Sequence, residues 1–324
     1  MTTISSPPGL AAIPGTGKYE KLLARCEKLA PIPTAVAYPC EATALAGAVE
    51  AFERGLIAPM LFGPADVIRE TAEAARVDIS GLEIVDAATG RAAAAKAVEF
   101  VRTGRAEILM KGSLHTDELM GAVVSRERGL RTGRRISHVF VMDVPTYHKP
   151  LVVTDGAINI APTLEDKVDI CQNAIDLAIS LGVELPKVAI LAAVETVTSK
   201  MPATIDAAAL CKMADRGQIK GGLLDGPLAF DNAISSDAAR TKGIDSPVAG
   251  DPDILLAPDL EAGNILAKQL SFLANADSAG MVLGARVPII LTSRADSVRT
   301  RLASAAVGTI LAASRRINAP IPSV

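Results

Sequence analysis

The chain has 324 residues, close to the upper limit for one hydrophobic core, so two packed units are expected. Hydrophobic residues make up 49% of it, ample for a globular protein, while aromatics are only 3% and Trp is absent, which argues against a base-stacking nucleic-acid surface. A net charge of −3 gives no general attraction for a polyanion, and no apolar run reaches membrane-spanning length. The start, MTTISSPPGLAAIPGTG, lacks a charged segment followed by an apolar one, so it reads as a loose Pro/Gly/Ser arm and not as a secretion signal. Cys26, Cys40, Cys171 and Cys211 form no CxxC pair, a usage that suits a reducing cytoplasm better than a zinc site or a disulfide scaffold.

After the arm, Tyr19 to Leu29 has helical spacing and Thr34 to Tyr38 reads as a strand stopped by Pro39. A helix from Cys40 to about Arg54 precedes a strand from Ala58 to Phe62, which Gly63-Pro64 terminates. Helix Ala65 to Arg76, strand Leu82 to Val85, the Ala-rich helix Ala92 to Thr103 and strand Ile108 to Met110 follow. This alternation predicts a mostly parallel sheet with helices on both faces. Helix Leu119 to Val124, the basic loop Ser125 to Arg135 and strand Ser137 to Met142 lead to DVPTYHKP. Its two prolines disfavour helix and mark the first boundary between units.

The second half repeats the theme with strand Leu151 to Thr154, helix Leu164 to Gly182, strand Lys187 to Val194 and helix Ile205 to Asp215. A strand from Ile219 to Leu224 is expected to end in the turn Asp225-Gly226-Pro227. A Gly- and Asp-rich turn region from Lys242 to Asp253 then gives way to strand Ile254 to Ala257 and helix Ile265 to Leu273. The final strand, Val287 to Leu291, and helix, Val298 to Ala313, are expected to rejoin the first unit. The expected fold is thus α/β, two doubly wound units with a cleft between them. The first takes residues 1–149 plus 287–324, and the second takes 150–286 and is expected to carry dimerisation.

Each strand ends in a polar cluster: KGSLHTD, VTDGAINIAP, VETVTSKMP, LLDGPLAFD, APDLEAGN and LTSRADS. Open α/β sheets bind ligands outside the carboxyl ends of their strands, so the six are expected to share one edge and one cleft. LTSRADS is the most informative. Ser293 and Arg294 are compatible with a helix cap and a surface ion pair. They are equally compatible with an anion site, where a planar guanidinium and free helix N–H groups meet a phosphate. Asp296 fits the first helical turn, where an acid is favoured electrostatically, and a base role stays open beside that. Lys111, Gly112, His115 and Thr116 follow a strand, and Gly112 would admit close approach of a ligand to the backbone. KGS lacks the glycine spacing of a P-loop, the three His lack metal spacing, and Asp225, Asp231, Asp251, Asp253 and Asp259 are explained by turns, so no metal is expected.

The stretches TDGAINIAP, KMPATIDAAALCKMADRGQIKGGLLDGPLAFDNA, SPVAGDPDILLAPDLEAGNIL and GARVPIILTSRADS resemble the phosphate acetyltransferase/phosphate butyryltransferase family, from about Tyr19 to the C-terminus. The resemblance implies reversible acyl transfer between coenzyme A and inorganic phosphate, with acyl-CoA and acyl phosphate as the other substrate pair and no cofactor. It implies an isocitrate/isopropylmalate dehydrogenase-like fold and a homodimer or higher homo-oligomer, and the cysteine usage adds a cytoplasmic location. Ser293 and Arg294 match the family's pair that binds and polarises the acyl phosphate. The family's aspartate that deprotonates the thiol matches Thr300, so Asp296 is taken as the base instead. Where the acetyltransferase pattern has Arg-Pro, this chain has Met120-Gly121, so Arg126, Arg135 or Arg286 is expected to hold phosphate or coenzyme. The remaining expected binding residues are Lys111, Gly112, His115, Thr116, Asp155, Asn159, Asp225 and Gly284. Acetyl is the expected acyl group and butyryl the alternative. A metal-dependent hydroxy-acid dehydrogenase of the same fold and a non-catalytic acyl phosphate or acyl-CoA sensor stand as more distant readings.

Overall fold

The computed structural model describes residues 17–292 and 296–318, the side chain of Asn318 excepted. Helix α1 (Lys18–Cys26) precedes β1 (Ile32–Ala37), α2 (Ala42–Glu53), β2 (Ile57–Gly63), α3 (Ala65–Ala75), β3 (Glu83–Asp86), α4 (Gly90–Arg102), β4 (Ile108–Lys111) and α5 (Thr116–Val123). Then come β5 (Ser137–Asp143), β6 (Leu151–Thr154), α6 (Leu164–Ser180), β7 (Lys187–Leu191), α7 (Pro202–Asp215), β8 (Leu223–Leu228), α8 (Phe230–Ile234) and α9 (Ser236–Thr241). The chain closes with β9 (Ile254–Leu256), α10 (Leu260–Leu273), β10 (Asp277–Leu283), β11 (Ile289–Ile290) and α11 (Val298–Asn318).

Local chemistry explains the element ends. Thr89 Oγ1 accepts from Ala92 N at 3.2 Å and starts the Ala-rich α4. Thr163 and Asp166 exchange backbone-to-side-chain bonds of 3.1 and 3.2 Å, a capping box that opens α6. Asp259 Oδ1 accepts from Ala262 N at 2.8 Å at the head of α10. Proline at the start of α7 removes an N–H that the helix would leave unpaired anyway.

The strands form one eleven-stranded sheet in the order β3-β2-β1-β4-β11-β10-β5-β6-β9-β7-β8. The block β3 to β11 is parallel throughout, and so is the block β6 to β8. Between them β10 runs antiparallel to both β11 and β5, and β5 runs antiparallel to β6. Following the directions across, the second parallel block points opposite to the first. The six polar strand tips therefore do not share one edge. Those of β4 and β11 lie on one edge, and those of β6, β7 and β9 on the other.

One face of the sheet is covered by α1, α2, α3, α6, α7 and α11, the other by α4, α5, α8 and α10. Helix α11 is the keystone of the first face. Leu302, Val307, Ile310 and Leu311 are all buried against strands and neighbouring helices, each worth about 1.5–3 kcal/mol relative to exposure. Strands β5 and β10 sort their side chains by alternation. Val139, Val141, Ala279 and Met281 face the α11 side, while His138, Phe140, Ser278 and Gly280 face α10.

Several expectations require correction. The predicted strand over 219–224 is displaced to β8, so Asp225, Gly226 and Pro227 lie inside the strand and not in a turn beyond it. Gln218, Gly221 and Gly222 instead make the connection out of α7, with Gly221 at φ 81°. The last strand shrinks to Ile289–Ile290, because Pro288 has no N–H to give a ladder. Strand β10 was not anticipated, since Ser278, Ala279 and Gly280 interrupt the apolar signal there. Helices α8 and α9 occupy a stretch given no structure from sequence, and α11 runs to Asn318, beyond the expected Ala313.

Candidate active site

The tip of β4 is built by close packing against β1. Gly112 N donates to Ala37 O and Ser113 N to Tyr38 O, both at 2.8 Å. A Cβ on Gly112 would strike the carbonyl oxygens of Ala37 and Tyr38. The approach that requires glycine is thus made by the neighbouring strand and not by a ligand. Ser113 Oγ donates to Tyr38 O at 2.8 Å and accepts from Cys40 N at 3.2 Å, tying the same two tips together. Lys111 is 4% exposed, and its Nζ lies 3.5 Å from Thr292 O and 3.4 Å from Gly112 O. This cation therefore sits where β4 and β11 end side by side. His115 precedes α5 and donates its N–H to Glu118 Oε2 at 3.2 Å. His115 and Thr116 are exposed at the rim.

The tip of β11 is anchored from below. Arg301 on α11 is 2% exposed and donates through Nη1 to Thr292 Oγ1 at 2.9 Å. Gly47 on α2 leaves the room for it, since a Cβ there would come within 2.7 Å of Arg301 Cδ. Burial lowers the pKa of Arg301, while the carboxylates of Asp296 and Glu41 oppose that shift. Asp296 is half-buried, and Ser297 Oγ accepts from Thr300 N at 3.1 Å at the head of α11. Ser293 and Arg294, the expected polarising pair, lie outside the described residues.

Between these tips and α10 lies a cleft of about 660 Å³, a size suited to a small-molecule site. Lys111, Leu114, His115, Thr116, Thr292, Asp296, Ser297 and Thr300 form one wall and end, Ala157, Asn264, Lys268 and Ser271 the other, and His138, Phe140, Ser278 and Gly280 the floor. The cleft thus crosses the face of the sheet and gathers residues from both edges. Four of the six polar strand tips contribute to it, and those after β7 and β8 do not. Asn264 Nδ2 donates to Gly156 O at 2.9 Å, fixing α10 to the loop after β6.

His138, one of the three histidines that lack metal spacing, stands on the floor. It is 2% exposed, and its ring meets Phe140 edge to face at a centroid distance of 4.4 Å. Burial pushes its pKa down to about 4, opposed by the nearby Asp155 carboxylate. Its Nδ1 is buried without a hydrogen-bond partner among the described residues. Arg301 and His138 were not proposed from sequence. No local signal marks them, because their importance comes from burial beside the strand tips.

The other expected binding residues have other surroundings. Asp155 is 3% exposed, and its carboxylate accepts from Ala157 N at 2.8 Å, Ile158 N at 3.0 Å, Asn159 N at 3.3 Å and Asn159 Nδ2 at 2.6 Å. Asn159 Oδ1 in turn accepts from Arg135 Nε at 2.7 Å, and Arg135 also pairs with Asp166 at 3.4 Å. These three form a knot under the loop after β6. Asp225 Oδ1 accepts from Gly226 N at 2.9 Å within β8 and lies away from the cleft. Gly284, at φ 82°, and Arg286 line a separate cavity of about 560 Å³ with Arg134 and Arg315. Arg126 is exposed on the loop after α5 and does not line the cleft. Among the described residues, no group of three His, Cys, Asp or Glu is placed to hold a metal ion, and no helix is long and apolar enough to cross a membrane.

Comparison with known proteins identifies the family. The sequence profile described as "Phosphate acetyl/butaryl transferase" matches residues 89–309. A phosphate acetyltransferase of Rhizobium meliloti is 64% identical over 299 residues, covering 92% of this chain and 95% of the relative. A phosphate butyryltransferase of Clostridium beijerinckii is 40% identical over 298 residues, covering 92% and 99%. The crystal structure of a branched-chain phosphotransacylase from Enterococcus faecalis V583 superposes with a TM-score of 0.76 at 29% identity, covering 87% of this chain and 99% of the other.

Proposed function

The chain belongs to the phosphate acetyl/butyryl transferase family, and on that premise we propose that it is a phosphate acetyltransferase, interconverting acetyl-CoA and phosphate with coenzyme A and acetyl phosphate. The observation that carries the acetyl reading is the gap between 64% identity to an acetyltransferase and 40% to a butyryltransferase over nearly the same span. Butyryl transfer is the less supported alternative.

The chemistry needs three things. A thiol with a pKa near 8.5 is largely protonated at neutral pH, so a positioned base must take its proton. Asp296, half-buried at the head of α11 and lining the cleft, is assigned that role. The thiolate then attacks the acyl carbon of acetyl phosphate, and the hydroxyl of Ser293 donates to the acyl phosphate. Arg294 neutralises the phosphate as it departs, and the Lys111 ammonium beside Thr292 adds positive charge where β4 and β11 end. His115 and Thr116 at the rim are positioned to meet the coenzyme. The substrates in this reading are coenzyme A and phosphate with their acyl forms, no separate cofactor is used, and the enzyme works in the cytoplasm. Ile265, Phe272 and Leu273 on α10 are 56, 76 and 82% exposed, which supports a homodimer or larger homo-oligomer. The two oppositely directed parallel blocks support a division into residues 1–149 with 287–324 and residues 150–286.

The test is thioester formation from coenzyme A with acetyl phosphate in metal-free buffer. Wild-type turnover, with kcat lowered about 10²-fold or more in Ser293→Ala and Arg294→Ala, is the expected result. Folded protein that makes no thioester with acetyl or butyryl phosphate would sink the reading.

A further inference from the structure

His138 stands on the cleft floor with its two ring nitrogens in unlike places. Nδ1 is sealed in the interior with no hydrogen-bond partner among the described residues. Nε2 lies on the side of Gly280, where a Cβ would stand 3.4 Å from it and 2.5 Å from Leu291 O. Gly280 gives up its side chain to the Leu291 carbonyl. Both His138 and Gly280 line the cleft, and Nε2, unlike Nδ1, is not sealed in the interior, so the Nε2 edge of the ring is the one on the cleft side. Leu291 is also the residue from which the chain runs through Thr292 toward Ser293 and Arg294. Nε2 is thus within about 6 Å of Leu291 O, at the end of β11.

The proton's position follows from burial. An orphaned N–H in the interior is the rarer and costlier fault, and an under-used acceptor is better tolerated. The ring therefore keeps its lone pair on Nδ1 and its hydrogen on Nε2. We propose that His138, through Nε2–H, donates a hydrogen bond to the acyl carbonyl oxygen and stabilises the oxyanion that forms there during transfer. The inference rests on the acyltransferase reading and adds a catalytic residue to it.

In the step, the thiolate adds to the acyl carbon, the C–S bond forms, and the carbonyl electron pair moves onto oxygen. The pair then returns, the C–O bond to phosphorus breaks, and inorganic phosphate leaves with the bonding electrons. His138 keeps its proton throughout. It cannot serve as the thiol's base, because its lone pair faces away from the cleft. Burial also holds the ring neutral near pH 7, in the company of Asp155 from the loop after β6, Lys111 from β4, Lys268 from α10, Asp277 from β10 and Asp296 before α11. A neutral donor suits an oxygen that becomes charged only in the transition state. Cations suit the phosphate, which is charged throughout.

The experiment compares wild type, His138→Gln and His138→Phe in the acetyl phosphate assay, alongside ¹⁵N-histidine NMR of the wild type. The phenyl ring fills the space without a donor, and the glutamine amide restores one. His138→Phe is expected to lose about 10²–10³-fold in kcat, with KM for acetyl phosphate changed less than about threefold. His138→Gln is expected to recover at least about tenfold of that loss, and the NMR to show the Nε2–H tautomer, neutral down to about pH 5. A kcat within threefold of wild type in His138→Phe, a glutamine variant as slow as the phenylalanine one, or an Nδ1–H tautomer would each overturn the proposal. The tautomer decides the matter if the variants do not fold. Wild type that makes no thioester overturns both readings, whereas active wild type with an unimpaired His138→Phe overturns this one alone.

Discussion

At the scale of single residues, burial changes what a side chain can do more than its identity does. Asp155 and Asn159 carry the polar chemistry of a binding site, yet their oxygens are occupied by nearby N–H groups that hold the loop after β6. His138 shows the opposite case, a buried titratable ring with one nitrogen left open to the cleft. Its folded pKa, about 4, lies below the unfolded value near 6.5, so the unfolded chain binds the extra proton first. The stability linked to neutral His138 is fully present above about pH 6.5 and is lost as pH falls toward 4. Urea unfolding at pH 7 and pH 4 should therefore show an additional loss in wild type, on the order of 3 kcal/mol, that His138→Phe lacks. Equal acid sensitivity of the two proteins would contradict the buried neutral ring.

At the scale of elements, the strand tips are held by backbone contacts that admit no side chain. Gly112→Ala would push a methyl group into the carbonyl oxygens of Ala37 and Tyr38 and force β4 away from β1. Overpacking of this kind costs about 1–3 kcal/mol, and Lys111, the preceding residue, would move with the tip. Thermal unfolding should show a midpoint several degrees lower, about 2–4 °C per kcal/mol, and the thioester assay a reduced kcat. Gly121 on α5 is the control, because nothing stands within 4 Å of a Cβ there. Gly121→Ala should raise stability by about 0.5–1 kcal/mol through helix propensity and leave activity unchanged.

Across the whole molecule, one wide sheet supports two parallel blocks of opposite direction, and β5 and β10 make the reversal. The cleft lies on that reversal. It can therefore draw Lys111 and Thr292 from one edge and Ala157 and Asn264 from the other. Acyl-chain preference belongs to this scale, since it is a property of the cleft as a whole. Each methylene changes pocket binding by about 1–3 kcal/mol, and butyryl adds two to acetyl. The kcat/KM for acetyl phosphate should exceed that for butyryl phosphate by at least about tenfold. A ratio in favour of butyryl phosphate would transfer the assignment to the other branch of the family.

The alternation of strand and helix, the apolar strands and the family motifs were all legible in the sequence, because periodicity, propensity and turn residues act over a few neighbours. Strand β6 and the start of α6 fall where the pattern placed them, at Leu151–Thr154 and Leu164. The polar tips of β4 and β11 were equally visible as ligand-binding candidates. Tertiary structure alone decided which tips meet. The antiparallel insertion of β10 between β11 and β5 pairs residues more than a hundred positions apart, and no local pattern encodes such a pairing. It turned one predicted edge into two, left Asp225, Gly284 and Arg286 outside the cleft, set His138 in the cleft floor and buried Arg301 beneath the β11 tip. The physical reason is that burial and close approach are properties of non-local packing, whereas the sequence displays only the local preferences that packing must satisfy.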